Sequence, residues 1–150
     1  LRPRAGPGVT DVTTARTRLF LLGDADCLDA LAEVASRLRY DEVRRADELG
    51  VVAGGLGPDD HVVVGAHDPR HARSILAAVL AAGDPGYVGL CGRENDALVA
   101  LLKLSADRVP KAKIDRIRAP AGAAYAVTPD EIAICVAAEL VAARRSRAAN

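Results

Sequence analysis

Three short stretches carry residues whose types and spacing could do chemistry. In Gly86 to Arg93, read Gly-Tyr-Val-Gly-Leu-Cys-Gly-Arg, Tyr87 and Val88 can pair in a sheet, while Gly89 and Gly92 have no Cβ to keep a ligand from the backbone. Cys91 stands on that edge, where a thiolate could carry sulfur or touch a metal, although a small thiol is more commonly packed inside. Arg93 follows as the best anion contact of the stretch. In the second stretch His67 and Asp68 are adjacent and so cannot form a nucleophile-activating dyad, and no Ser or Cys is placed by sequence to give a proton to His67. His67 is therefore a candidate ligand contact rather than a catalytic base.

The third stretch, Gly23-Asp24-Ala25-Asp26, opens a strand-turn-helix unit that can be tested against the dinucleotide fingerprint Gly-x-Gly-x-x-Gly. The three positions are Gly23, Ala25 and Leu28, so only the first glycine is kept. The tight turn is preserved, but a methyl group hinders pyrophosphate at the second position, and Asp24 and Asp26 repel any phosphate. Asp47 falls near the roughly 20-residue offset of a ribose-binding acid, provided that Glu42 to Asp47 forms a strand. The charge density of Asp41 to Glu48 favours an exposed helical turn there instead. A nucleotide-dependent, NAD(P)-binding oxidoreductase built on Gly23 and Asp47 is thus the alternative reading.

These residues need elements to position them. Leu1 to Arg16, with Pro3, Gly6, Pro7 and Gly8, reads as an arm or linker. Leu19 to Leu22 is a continuous apolar run suited to a strand covered on both faces. Leu28, Leu31, Ala35 and Leu38 then recur at helical spacing. Gly54 to Pro58 make a loop that Asp59 and Asp60 close, and Val62 to Val64 form the next buried strand. Pro69 keeps Asp68 out of the helix that follows, so His67 and Asp68 sit on a loop at a strand's carboxyl end. Ala72 to Leu80 give an amphipathic helix, and Ala97 to Leu102 give another after the glycine-rich edge. Lys111 to Arg118 reads as a short surface helix before a turn at Ala119 to Gly122. Thr128, Pro129 and Glu131 supply an N-cap, an N1 proline and a capping box for a final helix, beside whose buried stripe Cys135 packs. Residues 148–150 are left as a tail.

Composition sets outer limits. The chain has 150 residues, enough for one domain with a real core, and its 20 basic and 20 acidic residues cancel, so no global field draws it to nucleic acid or an acidic membrane. No apolar run approaches a membrane span, and nothing at the start resembles a signal peptide, which points to the cytoplasm. Three cysteines with no paired spacing suggest reduced thiols rather than disulfides or a zinc site. With no methionine in the chain, Leu1 is not expected to be a native initiator: the chain is either trimmed or the tail of a longer product.

With the segments placed, the chain resembles the Rossmann-type C-terminal domain of the XdhC/CoxI family, accessory proteins that mature xanthine and carbon monoxide dehydrogenases. The resemblance runs from about Thr17 to Arg145. It rests on Leu21 to Asp26, Val62 to Asp68, Tyr87 to Gly92, Ile117 to Gly122, Thr128 to Ala133 and Ala138 to Arg144. It implies a three-layer Rossmann-like α/β fold with a short, mostly parallel sheet. It also implies a carrier or chaperone rather than an enzyme of turnover, one that binds molybdenum cofactor (molybdopterin) for sulfuration or insertion. The implied partners are a cysteine desulfurase and the apo-form of a molybdenum hydroxylase, and a homo-oligomer is expected. Carried onto this sequence, the cofactor contacts would be Gly23, Asp24, Ala25, His67, Asp68, Gly89, Cys91, Gly92, Arg93, Pro120 and Gly122, with no metal ligands. The chain departs from the family's pattern at Arg93-Glu94-Asn95, where relatives place Ser and two basic residues. It departs again at Arg118, at Gly122 to Ala126, and in a shorter segment between Arg39 and His61. A third reading is a degenerate interaction module that keeps the scaffold without the ligand.

Overall fold

The computed structural model describes residues 16–149. The expected arm therefore lies outside the described residues, apart from Arg16. Five strands, β1 (Arg18–Leu22), β2 (Glu42–Ala46), β3 (Asp60–Gly65), β4 (Tyr87–Cys91) and β5 (Ile117–Arg118), pair in the order β2-β1-β3-β4-β5. Every pairing is parallel, so the carboxyl ends of all five strands face one rim. Leu22 lies opposite Val64, and Gly65 opposite Cys91. The helices are α1 (Asp26–Ala35), α2 (Pro69–Ala82), α3 (Glu94–Ala106), the single turn α4 (Lys111–Ile114) and α5 (Pro129–Ala149). The last of these continues through two of the three residues suggested as a tail.

Strand alternation divides the core in two. Phe20, Leu22, Val62, Val64, Val88 and Leu90 point to the face covered by α2 and α3, whose Ile75, Leu76, Val79 and Leu104 meet them. Leu19, Leu21, Val63, Tyr87 and Cys91 point to the other face, against Leu28 and Leu31 of α1 and Ala133, Val136 and Leu140 of α5. A strand buried on both faces has few polar positions to spare, which is why Leu19–Leu22 of β1 and Val62–Val64 of β3 are unbroken apolar runs, with Arg18, Asp60 and His61 confined to the strands' amino ends. The result is the three-layer α/β architecture expected from the sequence.

Three local expectations are corrected. Glu42 to Ala46 is a strand, not a helical turn. It is the sheet's edge, and its charges are accommodated because an edge strand is open to water. Arg44 stacks over the Phe20 ring at 5.5 Å, and Arg45 reaches back to the Gly23 carbonyl at 2.6 Å. Lys111 to Arg118 is a helical turn only as far as Ile114, after which Ile117 and Arg118 add a strand beside β4. Asp60 does not close a surface loop: it begins β3, is 4% exposed, and takes two hydrogen bonds from Arg18.

Candidate functional site

At the rim, β4 ends in Cys91 and turns through Gly92 and Arg93 into α3. Gly92 has φ +145°, and among the described residues nothing lies within 4 Å of where its Cβ would stand, so the backbone is open. Arg93 is the N-cap of α3 with no side-chain cap bond, leaving the helix's first amides pointing outward, a geometry that suits anions. The facing wall comes from the loop between β5 and α5. Between the two walls is a cleft of about 450 Å³ lined by Gly92, Arg93, Glu94, Pro120, Val127 and Ile132. A second cavity of about 440 Å³ shares Gly92, Arg93, Val127 and Ile132, and adds Ala25, Cys27, His67, Cys91 and Asp96. Together they wrap around the Gly92-Arg93 turn.

The far wall is held from behind. The Tyr87 hydroxyl donates to Glu139 Oε1 at 2.7 Å, the Gly122 amide donates to Glu139 Oε2 at 3.0 Å, and the Ala121 amide donates to the Leu90 carbonyl at 2.8 Å. Burial, with the adjacent Glu139 carboxylate, pushes the Tyr87 phenol far above its ordinary pKa, so the hydroxyl remains a donor. The capping box is present, with Thr128 and Glu131 exchanging hydrogen bonds at 3.0 and 3.2 Å to start α5.

The residues singled out from sequence divide into two groups. Ala25, His67, Cys91, Gly92, Arg93 and Pro120 line the cavities. Gly23, Asp24, Asp47, Asp68, Gly89 and Gly122 are placed otherwise. A Cβ on Gly23 would stand 1.9 Å from the Gly65 carbonyl oxygen, so this glycine makes room for the chain itself. Its amide is taken by the Ala46 carbonyl at 2.9 Å. Asp24 accepts the His67 amide at 3.0 Å, and that bond holds its carboxyl below the usual range. Asp47 is exposed just beyond β2. Asp68 caps α2 by accepting the Arg70 amide at 2.8 Å. Gly89 lies under the Tyr87 ring, whose hydroxyl would be 2.6 Å from an added Cβ. Gly122, at φ +83°, packs on Cys135 and Val136.

Sequence reasoning missed Val127 and Ile132 and did not place Cys27 in the site. The signal for the first two was the short Ile-Arg strand: once Ile117 and Arg118 run parallel beside β4, the chain after them has to emerge at the same rim. Cys27 lies beside Cys91 in one buried cluster, and both line the second cavity. Among the described residues there is no group of three or more His, Cys, Asp or Glu side chains arranged to hold a metal ion. No helix among them is long and apolar enough to cross a membrane.

Comparison with known proteins agrees with this architecture. A crystal structure named as a xanthine dehydrogenase from Bacillus halodurans is similar over 88% of this chain and 44% of its own, with a TM-score of 0.65 and 23% identity. At that identity the likeness shows the fold, and this chain spans less than half of that protein's length. No curated protein matches the chain. The model of the XdhC Rossmann domain matches residues 19–140, a span that takes in the sheet from the second residue of β1 onward and both walls of the cleft. On that match the chain belongs to the XdhC Rossmann-domain family.

Proposed function

We propose that this chain is the cofactor-handling domain of a maturation factor for a molybdenum hydroxylase of the xanthine or carbon monoxide dehydrogenase type. In this reading it binds molybdenum cofactor in the cleft around Gly92 and Arg93, for sulfuration or insertion. The carrying observation is the Gly92-Arg93 turn: an unobstructed backbone and the uncapped start of α3 both open onto a cleft of about 450 Å³. That volume lies in the range of small-molecule and cofactor sites. Gly92 and the first amides of α3 would take the phosphate tail, with Arg93 supplying charge. Pro120, Val127 and Ile132 would cover the ring system and exclude water. The cofactor, when bound, supplies the molybdenum centre and its exchangeable sulfur. The chain's own part is to bind, orient and shield. A cysteine desulfurase and the apo-hydroxylase are the partners this role calls for.

The fit in charge is partial. Glu94 and Asp96 stand beside Arg93, so the site holds an anion against two neighbouring carboxylates. The test is to express the full chain in a host that makes the cofactor and to measure molybdenum and oxidised pterin in the purified protein. Pterin and molybdenum retained together, and reduced by Arg93→Ala, are the expected result. A metal- and pterin-free protein from that host overturns the reading.

NAD(P) binding is less well supported. The strand before Asp47 does exist, but the Gly23 turn is closed by Gly65, and the start of α1 carries Asp26 and Asp29.

A further inference from the structure

Cys27 and Cys91, far apart in sequence, form a pair. Cys27 is the second residue of α1 and is 7% exposed, and Cys91 ends β4 and is 4% exposed. They belong to one buried cluster, their thiols lie side by side, and both line the cavity that also holds His67 and Arg93. Gly65 makes the approach possible. It pairs with Cys91 across the sheet, and a Cβ there would stand 3.0 Å from the Ala25 Cβ and 3.6 Å from the Cys91 Cβ. A side chain there would crowd Ala25, just ahead of α1, and press it away from the end of β4. The third cysteine, Cys135, lies elsewhere, under Gly122.

We propose that Cys27 and Cys91 are a redox modification site, closing to an intramolecular disulfide on reaction with a hydroperoxide and reopened by a dithiol reductant. The two thiols suit unequal roles. The neighbouring Cys91 thiol holds Cys27 below the ordinary thiol value, against burial and the Asp26 carboxylate. The same contact, with deep burial, pushes Cys91 well above it. Cys27 stands in the first turn of α1, where the helix's amino end favours a thiolate, and Cys91 is buried at the end of β4, so Cys27 is the attacking thiolate and Cys91 the resolving thiol.

In the first step the Cys27 sulfur attacks one peroxide oxygen. The O–O bond breaks, hydroxide leaves and is protonated to water, and Cys27 becomes a sulfenic acid. In the second the Cys91 sulfur attacks the Cys27 sulfur. The S–S bond forms, the S–O bond breaks, and the departing hydroxide takes the Cys91 proton as water. The two thiols lose two electrons and two protons, and the peroxide is reduced to two waters. The new bond pins α1 to β4 on the wall of the cavity, so it would stiffen one side of the cleft whatever ligand the cleft takes.

The test is to treat the reduced full chain with one equivalent of hydrogen peroxide at neutral pH, alkylate it under denaturing conditions, and map the products by mass spectrometry. The expected product is monomeric, lighter by two hydrogens, with a Cys27–Cys91 linked peptide, a single alkylated cysteine at Cys135, and full reversal by dithiothreitol. Cys91→Ala should stop at a sulfenic acid on Cys27 that dimedone traps, and Cys27→Ala should leave Cys91 unmodified. Three alkylated cysteines after treatment, a linkage through Cys135, or over-oxidation of Cys27 without the linked peptide would each overturn the proposal. The wild-type map decides the matter even if a variant fails to fold.

Discussion

Arg93 and the carboxylates beside it, Glu94 and Asp96, set the local field of the cleft, and at this scale the proposed function is most exposed to test. A charged hydrogen bond contributes about 1.5–3 kcal/mol, so Arg93→Ala should weaken retention of an anionic pterin by roughly tenfold or more. Glu94→Gln and Asp96→Asn should strengthen it, because each removes a repulsive charge from the lining that Arg93 shares. The measurement is molybdenum and pterin per chain after identical purification, with salt dependence as a second readout. Equal retention by wild type and Arg93→Ala would move the anion site away from this turn. Arg93 and Gly92 were legible in the sequence because a glycine and a base following a strand have a recognisable purpose. The roles of Gly89 and Gly122 were not legible. The Tyr87 ring and the α5 residues that fill the space beside them come from positions whose proximity depends on the fold.

The elements are locked at the amino edge of the sheet, opposite the cleft, by a buried polar cluster that the sequence did not single out. Arg18 of β1 and Asp60 of β3 form a pair with side-chain exposures of 19% and 5%. Beside it the Tyr40 hydroxyl, in the loop after α1, lies 2.7 Å from His61 Nδ1 and is covered by Arg144 of α5 at 4.7 Å from its ring. Burial raises the Tyr40 phenol to about 12, so it keeps its proton and donates, and His61 Nδ1 is the acceptor of a neutral ring. Burial, reinforced by Arg144, lowers His61 from 6.5 to about 4. The unfolded chain binds the His61 proton more readily than the folded one. Stability should therefore be full above pH 6.5 and fall as the pH drops toward 4, by on the order of 3 kcal/mol. Asp60 follows at lower pH. Burial alone would raise its carboxyl, but Arg18 and the Gly57 amide hold it below 3.8, so its contribution is lost as pH falls through that lower value. Chemical denaturation across this range checks the slope, and His61→Gln should flatten it. Arg18→Ala, which leaves the Asp60 charge buried and unpaired, should cost about 3–5 kcal/mol. Unchanged midpoints in either variant would mean that the amino-edge cluster does not hold the layers together. Apolar periodicity made the three layers legible, whereas a strand with as many charges as β2, or one as short as β5, gives no such pattern and is defined by its neighbours.

On the scale of the whole molecule, the strand order β2-β1-β3-β4-β5 puts the topological switch between β1 and β3, the usual crevice of an open α/β sheet. Here that crevice is crossed by the chain itself. Gly23 abuts Gly65, the Ala25 amide donates to the Gly65 carbonyl at 3.1 Å, and Asp24 holds the His67 amide. The first cleft lies toward β4 and β5, where α5 closes the layer, and the second reaches back from Gly92 only as far as Ala25 and His67. The exposed apolar residues Leu98, Leu102 and Ile134 lie on α3 and α5, and the expected homo-oligomer would show as a mass that rises with concentration in sedimentation. Ligand choice follows from this placement of the clefts. A dinucleotide needs the first turn for its pyrophosphate and the end of β2 for its ribose, and only the second of these is accessible here. Millimolar NAD(P) should therefore leave the melting temperature unchanged. Molybdopterin at about 100 times its dissociation constant should add about 2.7 kcal/mol, or roughly 5–10 °C for a chain of this size. The two ligands need different ends of one rim, so a single melting experiment with both separates the readings. Stabilisation by NAD(P) alone would show that the Gly23 turn opens in solution and would transfer the site from β4 to β1.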